Sequence, residues 1–411
     1  MFFSAVPVEA DPISESTPRR FGLWAEAEGT YRPFDTRDEF QRFSEFTGNH
    51  GFTDIYCQVY RNGRSWFPSL LADPTPYYEA RERGLDPLGE AIRIGHERGQ
   101  RVHAWVNALR VKSNSDAPLL RSIGRSAVQV DNYGSSILDY REAYKTPPGP
   151  VGRYYSIDTP GIWLDPSSRS VRRYVVETIR DLVLSYPDLD GIHLDMIRFP
   201  FGLPTRGNSQ RTYSQLRFGY SPSSLEGFRD LLQLAMGDSA ATLPKPLTPK
   251  SIRQWPEKWD TWRRSQVTLL VQDVRELLRQ IAPRMELSIA GIARGSRAYG
   301  SAMQEWPKWV NAGVIDYVLP MAYTADAAIA QEYAEFATSN VQPDRVVLGI
   351  GAWLLLNRLN NLETQINRAL SEGAGGIALF SYSNLRSKKG EKLARIAAQA
   401  FSTDAAESVS R

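Results

Sequence analysis

Acidic residues stand at the ends of two short apolar runs that are far apart in the sequence. The first run, Phe21 to Glu28, contains Glu26 and Glu28 two positions apart, and the second, Leu189 to Asp195, ends on an aspartate. Alternate side chains of a strand point to the same face, so strand-end carboxylates can act together as acid and base. Asp195 is therefore the first candidate catalytic residue, and Glu28 is its expected partner.

Polar and aromatic side chains share strand faces with these acids. In the run Arg101 to Asn107, the residues His103, Trp105 and Asn107 alternate with alanine and valine. The apolar set suits packing under helices, so we expect the polar set to face inward, where burial is costly unless a ligand or another polar group bonds to it. The expected substrate-binding residues are Glu26, Gln58, Tyr60, His103, Trp105, Asn107, His193, Arg198, Tyr323, Trp353 and Tyr382.

These residue types favour a carbohydrate ligand that is neutral or weakly charged. Aromatic faces pack on sugar rings, and amide, imidazole and guanidinium groups bond to hydroxyls. Hydrolysis of an acetal then needs two carboxyl groups, one as acid and one as nucleophile or base. His103 and His193 lack metal-ligand spacing, and no GxSxG elbow is present. We therefore expect neither a metal nor another cofactor.

The elements that must position these residues are eight apolar runs separated by longer amphipathic stretches, which is typical of parallel βα units. The runs are Phe21 to Glu28, Thr53 to Tyr60, Arg101 to Asn107, Leu189 to Asp195, Glu286 to Ile292, Asp316 to Tyr323, Arg345 to Ala352 and Gly376 to Tyr382. A doubly wound open sheet has the same alternation, but no glycine-rich phosphate loop follows the first run. We predict an α/β fold, a (β/α)₈ TIM barrel.

Two connections are much longer than ordinary βα loops. They cover about 111–166 after the third strand and about 201–258 after the fourth, on the face where barrel active sites lie. We expect both insertions to form walls of a substrate cleft. The predicted organisation is one barrel domain over 21–401, preceded by an N-terminal segment at 1–20 that is a signal remnant or a linker, and followed by a disordered tail at 402–411.

Composition excludes several classes of protein. The 411 residues are 42% hydrophobic, which is enough for a globular core. Forty-nine Lys and Arg against 46 Asp and Glu give a net charge of +3 without a dense basic run, so nucleic acid is disfavoured as a partner. No apolar stretch is long enough to span a membrane. The start MFFSAVPVEA is consistent with a clipped signal peptide, and we expect export to the periplasm or cell surface. The oligomeric state is not determined by the sequence.

Several motifs, in the same order, resemble the glycoside-hydrolase-10-like family of bacterial proteins. They are YRNGRSWFPS, DPLGEAIRIGHERGQRVHAWVN, IWLDPSSRSVRRYV, LDGIHLDMIRFP, DTWRRSQV and EWPKWVNAGVIDYVLPMAY. The resemblance covers the chain from Arg20 to about Asn384. It implies a TIM barrel, usually exported or lipid-anchored, and a glycosidase that cuts glycan strands, among them peptidoglycan glycan stripped of its peptides.

The chain departs from the family pattern at the predicted site. Met196 follows Asp195 where many members have a second aspartate, and the sixth run has Met321 where many have glutamine. The partner of Asp195 is therefore open between Glu28, Glu305, which precedes a tryptophan as an acid often does in the family, and Asp326. Two other functions stay open: a non-catalytic carbohydrate-binding barrel that lost its second acid, and a metal-dependent polysaccharide deacetylase.

Overall fold

Eight parallel strands close into a barrel in the computed structural model, which describes residues 19–409 except for the side chains of 238–240 and 404–409. Each strand pairs with the next along the chain, and the eighth pairs with the first. The predicted TIM barrel is confirmed, because an open sheet would leave the first strand with a free edge. The strands are β1 (Arg20–Ala25), β2 (Asp54–Arg61), β3 (Arg101–Asn107), β4 (Gly191–Asp195), β5 (Glu286–Ile292), β6 (Tyr317–Met321), β7 (Val347–Gly351) and β8 (Gly376–Phe380).

A helix follows each strand and covers the outside of the barrel. On α3, for example, Val171, Val175, Ile179 and Leu182 recur at three- or four-residue spacing and are buried. The eight covering helices are α1 (Arg37–Asn49), α2 (Pro87–Glu97), α3 (Arg169–Ser185), α4 (Pro256–Ile281), α5 (Trp306–Asn311), α6 (Ala327–Asn340), α7 (Leu359–Ser371) and α8 (Lys388–Val409). Shorter helices lie in the connections at Thr75–Glu82, Pro118–Ile123, Arg141–Tyr144, Ser209–Thr212, Pro222–Met236, Gly295–Gly300, Ala352–Leu355 and Tyr382–Leu385.

Some predicted boundaries differ from the structure. The last pair of β1 with β2 is Ala25 with Cys57, so Glu26 and Glu28 lie in the connection after the strand. Helix α8 continues past Phe401 to Val409, into the stretch predicted as a disordered tail. No glycine or proline follows Phe401 to end the helix. Of the predicted N-terminal segment, residues 1–18 lie outside the described residues, and Arg20 already begins β1.

The two faces of the strands pack in two separate apolar clusters. Leu23, Ala104 and Leu194 belong to the large core between strands and helices, as predicted from their alternation with polar residues. The barrel interior holds a second, mainly aromatic cluster, which consists of Trp24, Tyr56, Trp105, Tyr317, Leu319, Val347, Ala378 and Phe380. The strand alternation therefore places Trp24 and Trp105 inside the barrel, as predicted.

The two long insertions after β3 and β4 pack on each other. A short strand from each, Tyr155–Ile157 and Gly202–Pro204, pair in antiparallel orientation. The second insertion also forms an apolar cluster with α4, in which Phe228 contacts Trp259 and Trp262. Both insertions follow the carboxyl ends of neighbouring strands, so they border the barrel mouth. Among the described residues, no helix is both long enough and apolar enough to cross a membrane.

Candidate active site at the barrel mouth

Asp195 is the last residue of β4, and both of its carboxylate oxygens accept hydrogen bonds. The indole Nε1–H of Trp105 donates to Oδ2 over 3.2 Å, and the backbone N–H of Met196 donates to Oδ1 over 2.6 Å. Met196 has φ of 53°, in the left-handed region that non-glycine residues rarely adopt. Such conformations concentrate at functional sites, because the surrounding structure must hold them in place. The carboxylate is thus fixed in one orientation.

The environment of Asp195 favours the protonated acid. Burial raises the pKa of Asp195 above its ordinary value, and this effect outweighs the Met196 N–H, the charge of Arg198, the indole of Trp105 and the charge of Arg110. The guanidinium of Arg198 is not bonded to Asp195. It forms a salt bridge of 2.9 Å with Asp158. Arg198, predicted as a substrate-binding residue, therefore fastens the first insertion to the end of β4.

Glu26 lies across the mouth from β4, in the connection after β1. The hydroxyl of Ser381, which follows β8, donates to Glu26 Oε2, and Asn384 Nδ2 donates to the same hydroxyl over 3.1 Å. Burial and then the charges of Asp195 and Glu26 raise the pKa of Tyr323 well above its ordinary value. Tyr323 and Trp105, which bonds to Asp195, both contact Phe380, the residue before Ser381. The structure brings Asp195, Glu26 and Tyr323 together.

Glu28 is held in a different cluster. Its carboxylate pairs with Arg61 Nε at 3.1 Å and with Arg64 Nη1 at 3.2 Å, and it accepts a hydrogen bond of 2.8 Å from Asn62 Nδ2. These residues belong to a hairpin in which Arg64–Ser65 pairs with the end of β2. The expectation that Glu28 points inward beside Asp195 is wrong. Because Glu28 lies beyond the end of β1, the alternation of strand side chains no longer fixes its direction.

The other two candidate partners lie at helix N-termini. Glu305 precedes α5 and pairs with Lys308 at 2.6 Å and with Arg264 at 3.7 Å. Asp326 caps α6, where its Oδ1 accepts from the N–H groups of Ala328 and Ile329. None of these bonds involves Asp195. Both acids therefore have structural partners of their own, which the spacing of the sequence did not reveal.

Two amide side chains line the mouth beside Asp195. Asn107 stands opposite Asp195 in the register of β3 and β4, and Gln58 Nε2 donates to its Oδ1 over 3.4 Å. Gln58 Oε1 accepts from the N–H of Ala27 and from Arg61 Nη1. The inward position predicted for both amides is confirmed. These amides link the ends of β2 and β3 by hydrogen bonds to the loop after β1 that contains Glu26.

An aromatic wall completes the site opposite these amides. The rings of Tyr323, Trp353 and Phe380 contact one another at centroid distances of 4.9 to 5.8 Å, and Trp105 lies 6.0 Å from Phe380. Trp353 is 40% exposed, so one surface of the wall is open to solvent. Such a ring can pack on the face of a sugar. Phe380 was missed in the sequence, although its inward parity on β8 was a readable signal.

Two predicted aromatic residues point away from the mouth. The pairing of β2 with β3 shifts between Gln58 and Tyr60, and this bulge turns Tyr60 outward into the core between strands and helices. Tyr382 begins a short helix after β8 and packs on Phe43 of α1 at 5.0 Å. Both expectations are wrong, because a bulge or a change to helix ends the two-residue alternation.

The two predicted histidines lie deeper in the barrel. The Nε1–H of Trp24 donates to His193 Nε2 over 3.1 Å, so the proton of the neutral ring is on Nδ1, which donates to Ser288 over 2.9 Å. Burial and the charge of His103 lower the pKa of His193 well below its ordinary value. His103 bonds to Asp54 at 3.0 Å, near the amino ends of the strands. Neither imidazole is left for a sugar at the mouth.

Carboxyl groups, amides and aromatic rings at the carboxyl ends of parallel barrel strands define the site of a glycosidase-type TIM barrel. The chain belongs to the glycosyl hydrolase-like 10 family, whose match covers residues 36–361. The resemblance seen in the sequence is thereby confirmed, and the family supports the predicted class of enzyme, a glycosidase. Among the described residues, no group of three or more His, Cys, Asp or Glu is arranged to hold a metal.

Curated relatives are distant. Glycosyl hydrolase DigH from a strain of Escherichia coli is 22% identical over 379 residues, which cover 84% of this chain and 73% of the relative. Glycosyl hydrolase YngK of Bacillus subtilis is 21% identical over 338 residues, or 77% of this chain and 55% of the relative. A second DigH alignment spans 64% of that protein. The chain therefore matches only part of these proteins.

Solved structures show the same fold at low sequence identity. The β-galactosidase of the psychrophilic Marinomonas ef1 matches with a TM-score of 0.63 and 11% identity, over 95% of this chain and 60% of that one. A GH42 β-galactosidase from G. stearothermophilus matches with a TM-score of 0.61 and 13% identity, over 94% and 57%. At this identity the likeness establishes the barrel fold alone.

Proposed function

We propose that the chain hydrolyses glycosidic bonds of a bacterial polysaccharide and that Asp195 and Glu26 are its two catalytic carboxyl groups. The observation that carries this assignment is that both acids border the same ring cluster at the barrel mouth: Asp195 bonds to Trp105, which contacts Phe380, and Glu26 bonds to Ser381, the residue after Phe380. Glu28, the partner expected from the sequence, is engaged by two arginines. Glu26 has only the Ser381 hydroxyl as a hydrogen-bond donor among the described residues, and its side chain is half-buried. Glu26 is therefore the freer of the two glutamates.

The environments of the two carboxyl groups suit different roles. Burial raises the pKa of Asp195, so this group keeps a proton to higher pH than an exposed aspartate does. We assign Asp195 as the general acid that protonates the leaving oxygen of the sugar. Glu26 then acts as nucleophile or as the base that activates water. The phenol of Tyr323 then bonds to the sugar or to one of the two carboxyl groups.

The substrate that we propose is a polysaccharide of the bacterial cell wall, with peptidoglycan glycan strands as the first candidate. Trp353 offers an exposed ring for stacking. The two insertions, which pair through a short antiparallel sheet, border the mouth on the side of β3 and β4. An extended polymer needs such walls to bind several sugar rings. A wall polymer lies outside the cytoplasm, so this substrate also requires that the protein is exported.

Release of reducing ends tests the proposal. Purified protein is incubated with peptidoglycan strands stripped of peptides, with chitin-type oligomers and with neutral glycans, and the Asp195→Asn variant is the control. We expect new reducing ends from one of these polymers, and none above background from the variant. Binding without any cleavage by the wild-type protein would instead establish a non-catalytic carbohydrate-binding barrel. Acetate release that a chelator abolishes would establish a deacetylase.

A further inference from the structure

Three arginines surround one side of the mouth, and only two of them have a carboxylate partner. Arg61 pairs with Glu28 at 3.1 Å, and Arg198 pairs with Asp158 at 2.9 Å. No carboxylate of the described chain lies within 4.0 Å of the guanidinium of Arg110. Arg110 therefore brings a positive charge to the site that the protein itself does not neutralise by direct contact.

The backbone places Arg110 beside Asp195. Arg110 follows the end of β3 by three residues, and in between, the N–H of Ala108 donates to the backbone oxygen of Asp195 over 2.8 Å. The Nε–H and Nη2–H groups of Arg110 donate to the backbone oxygen of Pro160. Arg198 donates to Thr159, the preceding residue, over 3.1 Å. Two guanidiniums thus meet at one loop of the first insertion.

The position of Arg110 is electrostatically unfavourable for a cation. Burial and the charges of Arg198 and Arg61 lower the pKa of Arg110 to about 10, against the attraction of Asp195 and Asp158. A buried cation is costly unless an anion pairs with it. A neutral hydrogen-bond donor would be enough to bind the Pro160 carbonyl. This contact alone therefore does not explain why residue 110 is an arginine. The contact also occupies one edge of the guanidinium and leaves Nη1 without a bond to the described residues.

We propose that Arg110 binds a carboxylate carried by a sugar ring next to the scissile bond, so that the enzyme prefers acidic glycans. This inference rests on the proposed function and refines its substrate. The free edge of a guanidinium matches the two oxygens of a carboxylate, and pairing removes the cost of the unpaired charge. The ligand predicted from the sequence was neutral or weakly charged. The proposed ligand is now acidic, because the fold places the cation of Arg110 beside Asp195.

The test compares one polymer with and without its carboxylates. The probes are peptidoglycan glycan strands stripped of peptides and the same strands after chemical reduction of the carboxylates to alcohols. Binding is measured by calorimetry for the wild-type protein, for Arg110→Gln and for the control Arg125→Gln, whose arginine pairs with Asp139 on the surface of the same insertion. We expect wild type and control to bind native strands about tenfold or more tighter than reduced strands. Arg110→Gln should bind both equally.

Equal binding of the two polymers by the wild-type protein overturns the inference, and so does failure to bind the native strands. Retention of the full preference by Arg110→Gln overturns it as well. The wild-type comparison requires no variant, so it stands even if Arg110→Gln does not fold. A parallel reducing-end assay separates the two proposals. Cleavage without any effect of the carboxylates contradicts only the role of Arg110, whereas carboxylate-dependent binding without cleavage contradicts only the hydrolase.

Discussion

The barrel contains two buried aspartates, one at each end, and their environments are opposite. At the amino ends of the strands, Asp54 accepts bonds from Arg20 at 2.9 Å, Arg101 at 2.9 Å and His103 at 3.0 Å. Burial by itself raises the pKa of Asp54, but His103 and the two arginines lower it below its ordinary range. At the mouth, the same burial effect prevails on Asp195 and raises its pKa.

The difference separates a stabilising end of the barrel from a reactive one. Around Asp54, positive charges offset the cost of burial, and Arg20 continues the network to Glu286. At Asp195, the direct donors are an indole and a backbone N–H, neither of which carries a full charge. The mouth thus keeps an acid in a costly environment, which is how an enzyme sets the pKa of a proton donor.

The largest expected effect is the loss of catalysis when Asp195 becomes Asn. The amide keeps the shape but cannot donate a proton, so turnover should fall about a thousandfold or more. The pKa of Asp195 is raised in the folded protein, so ionisation of this group destabilises the fold as pH rises from about 4 through the folded pKa. The Asp195→Asn protein avoids this cost and should be at least as stable as the wild-type protein at neutral pH. Reducing-end release and thermal unfolding measure the two effects. A stable Asp195→Asn protein with near-normal turnover would refute the assignment.

The second prediction concerns which glutamate is the partner. Glu26→Gln removes a carboxylate next to Tyr323, and we expect a loss of turnover of about a hundredfold or more. Glu28→Gln is the matched control, because it lies two residues away and bonds to Arg61 and Arg64 instead. This control should lose some thermal stability and less than about tenfold in rate. The reverse order of the two rates would return the partner role to Glu28.

Asp54→Asn tests the stabilising end of the barrel. The change leaves Arg20 and Arg101 without their carboxylate, so the free energy of unfolding should decrease by about 3 kcal/mol at pH 7. Since the folded pKa of Asp54 is lowered, the stability that it contributes is complete above about pH 4 and is lost as pH falls through the folded pKa. Urea unfolding at pH 7 and below pH 4 measures this. A constant difference between the two proteins across that range would contradict the role of the charge.

The smallest expected effect is a shift in the pH profile. Trp105→Phe removes the N–H that stabilises ionised Asp195, so the pKa of Asp195 rises further and the alkaline limb of kcat should move up by about one pH unit or less. Trp353→Phe is the control, because its ring contacts Tyr323 and Phe380 but not Asp195. This control should alter KM and leave the limb in place. If the alkaline limb of kcat is unchanged in Trp105→Phe, a group other than Asp195 sets that limb.

The sequence by itself determined the barrel, its eight strands and the inward residues of the regular parts of those strands. Trp24, Trp105, Asn107 and Asp195 lie where the alternation predicted, because side chains of a regular strand change face at every residue. The same rule failed for Tyr60, where β2 has a bulge. It also failed beyond the strand ends, since backbone pairing no longer sets the direction of a side chain there.

Only the tertiary structure decided which groups meet at the mouth. Ser381 bonds to Glu26 across 355 residues of sequence, and Arg198, just after β4, reaches Asp158 of the first insertion. Such contacts depend on the paths of long connections, which local patterns do not encode. Arg110 gave no signal in the sequence for the same reason. Local periodicity specifies a strand and its faces, whereas the partners of a charge are set by the closure of the whole barrel.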